Sequence, residues 1–226
     1  MSHPFPAQQF PSASPAPREN GGGGTGATPP AKARLAILLS GRGSNMLALV
    51  EATKTGSLQG LAEVAVVFSN KPDAPGLVSA AALGCPTAVL PSQGRQRQAF
   101  DAEAAALLQQ YRPDFVVLAG YMRILSSAFI QPFTGRILNI HPADTHQHQG
   151  LHAYEWAFEN RLQETKITVH LVDEGLDTGP ILAQQTVDLR GADTLAEVER
   201  RGLTVEHKLY AQTLAELISK EKRPSC

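Results

Sequence analysis

Four histidines, His141, His146, His148 and His152, fall within twelve residues of the segment LNIHPADTHQHQGLH. Imidazole is the side chain whose charge changes near neutral pH, and it also ligates metals. His146 and His148 share one face if the chain is extended, and His152 follows His148 at helical spacing. A zinc site built from them would lack both an H-E-x-x-H pattern and a cysteine partner, and the Gln and Gly residues between them suit an irregular loop, so no metal is expected. RILNIHP reads as a strand, in which Asn139 and His141 project to one side while Leu138 and Ile140 enter the core. An amide and an imidazole at the C-terminal end of a strand can hydrogen-bond a carbonyl oxygen that gains charge under nucleophilic attack. The same pair equally fits a satisfied structural contact at a strand end.

Two other segments carry chemistry. In LLSGRGSNM, Gly41 and Gly43 permit a sharp turn, and Ser44 and Asn45 sit at the N-cap or first turn of a helix. Unpaired amides and the positive end of the helix dipole make such a turn a phosphate cradle, though geometry alone can also call for glycine there. A nucleoside triphosphate loop would need Gly-Lys-Ser/Thr, and no lysine stands between Lys32 and Lys54. A dinucleotide fingerprint would place a third glycine where Met46 stands and an acidic residue where the second strand ends in FSN, which weakens a nicotinamide-dependent oxidoreductase. The loop DEGLDTGP offers Asp173, Glu174 and Asp177. Its composition is that of a turn, yet a carboxylate there can pair with His141 and raise its pKa toward neutrality.

The elements that must position these residues alternate. RLAILLS, AEVAVVFSN, PTAVLP, DFVVLAG and RILNIHP read as strands, and NMLALVEATK, PGLVSAAALG, RQAFDAEAAALLQQY and SSAFIQPF as the helices between them. RLAILLS is almost wholly apolar, as a strand buried on both faces must be. Strand and helix in turn at this spacing predict an open, mostly parallel twisted α/β sheet with helices on both faces. After the helix AYEWAFENRL, the strands KITVHLVD and ILAQQTVDL are joined by a short loop, which excludes a helical crossover and makes the sheet mixed at its C-terminal end. A last helix is expected over residues 194–219.

With 20 basic and 21 acidic residues the net charge is -1, so nothing advertises nucleic acid or an anionic membrane, and small-molecule partners fit better. Two cysteines, Cys85 and Cys226, are too few for a disulfide scaffold and suit a reducing, cytoplasmic setting. No apolar run approaches the roughly 18 to 20 residues of a membrane span. Residues 1–33 hold seven of the sixteen prolines and a run of four glycines without apolar periodicity. They are expected to form a disordered extension, or less simply a partner-binding tail, before a catalytic domain over residues 34–222.

In order and spacing, SGRGSN, VFSNKPDAPGL, VVLAGYMRIL, GRILNIHP, GLHAYEWA, TVHLVDEGLDTGPILAQ and EHKLY resemble the phosphoribosylglycinamide (GAR) formyltransferase family of purine synthesis, over residues 35–210. The resemblance implies a Rossmann-like formyltransferase fold and transfer of the formyl group of 10-formyltetrahydrofolate to the glycine amine of GAR. It places the phosphate on Gly43, Ser44 and Asn45, and the ribose on Glu206 with Leu203 nearby. The folate would lie along Met122, Arg123, Ile124 and Leu125, with Asp173, Glu174, Gly175, Leu176 and Asp177 against its pterin ring and Arg97 near it, backbone groups carrying much of the recognition. His141 would be the general acid, Asn139 would hold the formyl oxygen and also touch folate, and Asp177 would orient the imidazole. The co-substrate is folate and no metal is implied.

One stretch departs from the family. After His141 and Pro142 the family continues with Ser-Leu-Leu-Pro, whereas this chain has ADTHQHQ before Gly150. His146 and His148 lie in that polar turn, and His152, in the matched Gly-Leu-His, is expected to be structural. Rival readings are formylation of another amine, hydrolysis of formyl-folate, and a non-enzymatic phosphate-ligand sensor. The extra C-terminal domain of tRNA formyltransferases and the N-terminal regulatory domain of the hydrolase are not expected in a chain of this layout. Whether two copies pair as a homodimer stays open.

Overall fold

Seven strands line up in one sheet in the order β3-β2-β1-β4-β5-β6-β7. The computed structural model describes residues 31–221. The elements are β1 (Ala33–Leu39), α1 (Ser44–Thr55), β2 (Ala62–Ser69), α2 (Pro75–Ala82), β3 (Thr87–Val89), α3 (Arg97–Gln110) and β4 (Phe115–Leu118). There follow α4 (Ser127–Ile130) with a 3-10 turn, β5 (Ile137–His141), α5 (Ala153–Glu159), β6 (Glu164–Leu171), β7 (Ile181–Asp188) and α6 (Leu195–Glu221). β1 to β5 pair in parallel, whereas β6 runs antiparallel to β5 and β7 antiparallel to β6. The expected mixed end is therefore present. The expectation of a disordered extension over residues 1–33 lies, for residues 1–30, outside those described, and at its end it is corrected, since Ala33 already pairs as the first residue of β1.

Alternation along each central strand supplies two cores. Leu35, Ile37 and Leu39 of β1 pack with Met46, Leu49 and Val50 of α1 and Leu209, Tyr210 and Leu214 of α6. Ala36 and Leu38 face the other way, against Phe100, Ala104 and Leu108 of α3 and Phe129 of α4. A strand wedged between two helical layers has no solvent face, which is why RLAILLS carries no polar residue after Arg34 until Ser40. Among the described residues no helix is long and apolar enough to cross a membrane.

The chain winds outward from β1 in both directions: through β2 and β3 on one side, through β4 and β5 on the other. The order reverses between β1 and β4, and ligands of open α/β sheets bind in the crevice outside the C-terminal ends of the strands at such a switch point. The glycine turn after β1, the 121–125 loop after β4 and the Asn139/His141 pair at the end of β5 all belong to that end. The buried Tyr210 hydroxyl, shared between the carbonyls of Leu118 at 3.0 Å and Leu138 at 2.9 Å, ties α6 to β4 and β5.

Candidate active site

The turn after β1 is shaped by glycine where a side chain would not fit. Gly43 caps α1 in the left-handed region, with φ 77°, and is buried. Gly76, at the start of α2, donates its N–H to the Gly41 carbonyl at 3.0 Å, and a Cβ on it would lie 2.8 Å from a Leu39 methyl. The close approach presents the first-turn amides of α1, at Ser44 and Asn45, without an intrahelical partner. Asn45 Nδ2 donates to Glu206 Oε2 at 2.5 Å, and the Tyr154 hydroxyl donates to the other oxygen of the same carboxylate. Glu206 is buried on α6, Leu203 lies one turn before it, and Asn45 Oδ1 is buried without a partner. Tyr154 was not singled out by the sequence reading, although it stands in the GLHAYEWA motif; its phenol is pushed far above its ordinary pKa, by burial first and by Glu206 second, so it remains a donor.

On the β4 side, the loop carrying Met122, Arg123, Ile124 and Leu125 is pinned at both ends. Met122 N–H donates to Ser40 Oγ at 2.9 Å, and Ser126 N–H donates to the buried Asp101 at 2.7 Å. Met122 and Ile124 are 60% and 53% exposed, which leaves apolar surface beside the crevice, while Leu125 is buried. The Arg123 guanidinium lies over the Phe100 ring, 4.4 Å from its centre, and 3.9 Å from Asp101. Arg97 is exposed at the first residue of α3, and its guanidinium joins no hydrogen bond or ion pair among the described residues.

Asp177 comes from the β6–β7 loop with φ 53°, a left-handed conformation that aspartate tolerates better than most residues. Within that loop Asp173 accepts from Gly175 N–H at 3.0 Å and from the Thr178 hydroxyl at 2.7 Å, while Glu174 and Leu176 are exposed. Asp177 Oδ1 accepts from Asn139 Nδ2 at 3.2 Å and lies 3.5 Å from His170 Nε2; Oδ2 accepts from Gly150 N–H at 2.9 Å and lies 3.6 Å from His141 Nδ1. Burial pushes the Asp177 carboxyl up, but the His170 and Gly150 hydrogen bonds and the neighbouring imidazoles outweigh it, and the net direction is down. The Asn139 amide also lies 3.3 Å from His170 Nε2.

The structure therefore brings Asn139, His141 and Asp177 together, with His170 as a fourth member. His170 is buried, and its Nδ1 is 2.8 Å from the Leu171 carbonyl, so Nδ1 carries a proton, while Nε2 lies between the Asn139 amide and the Asp177 carboxylate. Its signal is the pairing of β5 with β6, which sets Asn139 opposite His170 and His141 opposite Thr168. For His141 the sequence expectation needs correction. Asp177 does pull its pKa up, yet burial is the larger influence and the net direction is downward, below the ordinary histidine value. The charged form is disfavoured because the ring has left water.

The departing segment is a folded polar turn. Asp144, 7% exposed, accepts from Lys166 Nζ at 2.7 Å and from His146 N–H at 3.1 Å, and its carbonyl takes the Gln147 and His148 amides. Thr168 Oγ donates to the Ala143 carbonyl at 2.7 Å and accepts from Gln184 at 2.9 Å. His146 is exposed. His152 caps α5 with φ 65° and meets only Glu155, at 3.1 Å. Among the described residues no three His, Cys, Asp or Glu side chains converge as a metal ion requires.

Known proteins share this fold and this order of motifs. The profile of the formyl transferase family matches residues 33–214. The phosphoribosylglycinamide formyltransferase of Escherichia coli (strain K12) is 41% identical over 177 residues, which span 78% of this chain and 82% of that one. The trifunctional purine biosynthetic protein adenosine-3 of Homo sapiens is 39% identical across 81% of this chain, but the match takes up only 18% of its own length. Among solved structures, phosphoribosylglycinamide formyltransferase from Bacillus halodurans superposes with a TM-score of 0.79 at 38% identity, covering 84% of this chain and 97% of that one. The Brucella melitensis protein of the same name gives 0.77 at 41% identity, with the same two coverages. A single match over the glycine turn would show little, but these run through every strand of the sheet, and the chain belongs to the formyl transferase family, on its phosphoribosylglycinamide formyltransferase branch.

Proposed function

We propose that this protein transfers the formyl group of 10-formyltetrahydrofolate to the glycine amine of GAR, giving formylglycinamide ribonucleotide and tetrahydrofolate. One observation carries the reading: Asp177 reaches Asn139 across 38 residues of chain and stands beside His141, at the end of β5, next to β4 with its 121–125 loop and one strand further from the glycine turn after β1. In this reading Gly43, Ser44 and Asn45 take the phosphate, and Glu206, with Leu203 near it, takes the ribose. Exposed Met122, Ile124 and Leu176, with Arg123 and Arg97 at the margin, offer the apolar and cationic surface that a flat ring with an acidic tail needs, and the 173–177 loop closes over it.

The folate supplies an electrophilic formyl carbon. As the amine's lone pair forms the new C–N bond, negative charge gathers on the formyl oxygen, where an N–H of protonated His141 and the Asn139 amide donate to it. Asp177 stabilises the imidazolium and accepts, through water, the proton the amine loses. When the carbonyl reforms, the bond to the folate nitrogen breaks and that nitrogen takes the His141 proton, which the proton released by the amine replaces by way of Asp177. Asn139 is engaged with Asp177 and His170, so it exchanges a protein acceptor for the substrate oxygen on binding. The imidazolium and amide supply the polarisation, and no metal has a role.

The catalytic unit is read as residues 34–222, working in the cytoplasm on small molecules, without nucleic acid or membrane. The test is to mix purified protein with GAR and 10-formyltetrahydrofolate and follow tetrahydrofolate release, omitting each substrate in turn. Release that requires GAR is the expected result. Release without GAR means that water or another amine is the acceptor, and the reading fails.

A further inference from the structure

The polar turn over residues 143–149 reaches His141, and the glycine that follows it reaches Asp177. The His148 carbonyl lies 2.9 Å from His141 Nε2, and the Gly150 amide donates to Asp177 Oδ2 at 2.9 Å. The His148 ring is itself held. It stacks on Trp156 with centroids 4.8 Å apart and planes at 15°, its Nε2 is 3.0 Å from the Leu151 carbonyl, and its other neighbour is the His141 ring, at 6.2 Å and 18°. Asp144, anchored by Lys166, receives the His148 amide at 3.0 Å.

We propose that His148 is a positioning residue for His141: its carbonyl keeps a proton on His141 Nε2, and its ring, stacked on Trp156, holds that carbonyl in place. The proposal rests on reading His141 as the proton donor of formyl transfer. A carbonyl oxygen only accepts, so Nε2 carries hydrogen whether the ring is neutral or charged. The neutral ring then turns the bare lone pair of Nδ1 toward the Asp177 carboxylate, and an arriving proton has one place to go, the nitrogen 3.6 Å from that carboxylate. Tautomer, ring orientation and the site of protonation are fixed together by a segment with no catalytic atom of its own.

The test uses the full chain labelled with nitrogen-15 at histidine, without substrate, with His141 assigned from the His141→Ala spectrum. In the wild type at neutral pH the His141 signals should be those of the Nε2–H tautomer. In His148→Ala they should move toward a mixture of tautomers, kcat should fall about tenfold, and KM for both substrates should change less than threefold. His148→Phe, which keeps the stack, should recover most of the lost kcat. Where the alanine variant does not fold, Trp156→Leu removes the same stack and is read in the same way. Unchanged His141 signals in these variants overturn the proposal, as does a phenylalanine variant no better than alanine. The spectra need no substrate, so failure of GAR as acceptor leaves this result standing on its own.

Discussion

His141 is pulled both ways: leaving water lowers its pKa, and the Asp177 carboxylate and His148 carbonyl raise it, with burial prevailing. In the substrate-free protein its titration, followed by NMR, should therefore have a midpoint below the ordinary histidine value of about 6.5. Asp177→Asn deletes a raising charge and should move the midpoint lower still; an upward move would remove Asp177 as the charge partner. His141→Ala and Asp177→Asn should each cut kcat/KM for formyl transfer by roughly a hundredfold or more, with circular dichroism unchanged, as general acid catalysis of this kind contributes about 10²- to 10⁴-fold. Wild-type rates in either variant would strike that residue from the mechanism. Asn139 and His141 were legible as a pair because strand alternation is a local property. Asp177 was one of three candidate carboxylates, and only the family resemblance singled it out, since nothing local says that a loop 38 residues away folds back onto Asn139. His170 and Tyr154 were missed for the same reason: the cross-strand register and the packing of α5 on α6 are not written in either segment alone.

At the level of elements, the turn over residues 143–149 shows how an apolar segment can become polar without opening a hole. The Asp144 carboxylate and Ala143 carbonyl find partners on β6, Lys166 and Thr168, with Gln184 of β7 donating to Thr168, while the turn's amides are taken by Asp144 itself. The sequence displayed the departure but not its compensation, because the partners lie 22 residues or more downstream. Lys166→Met should lower unfolding free energy by about 1–2 kcal/mol in urea titrations, at the low end for a lost ion pair because the Lys166 side chain is 39% exposed and water screens the charge. The pH dependence has a definite sign. The Lys166 hydrogen bond holds the Asp144 carboxyl below its ordinary pKa, so the pair contributes stability above about pH 4 and loses it as pH falls through the lowered value. The gap between wild type and variant should narrow below pH 4; a gap that widens there would show that Lys166 acts through something other than Asp144. Strands and helices, by contrast, were all visible beforehand, since two-faced burial and helical spacing leave periodic marks in the sequence.

The molecule as a whole gathers its chemistry at the C-terminal ends of three adjacent strands, β1, β4 and β5, while the two antiparallel strands beyond them brace the β5 side. In the proposed mechanism imidazolium and amide donors do the polarising, so turnover should survive a strong chelator; loss of activity that zinc restores would revive the metal reading of the histidine segment. The parallel layout and the mixed end were legible from connection lengths, whereas strand order was not, because order depends on which way each crossover turns and local patterns are silent on that. The hydrogen bond between Asn45 and Glu206 joins residues 161 apart in the chain. Contacts so distant in sequence pay their loop-closure entropy late, so during synthesis the glycine turn can form around α1 long before Glu206 exists. A nascent chain thus cannot join Asn45 to Glu206 until α6 has left the ribosome, and under the proposed function binding of GAR can serve as a check that the last helix has docked.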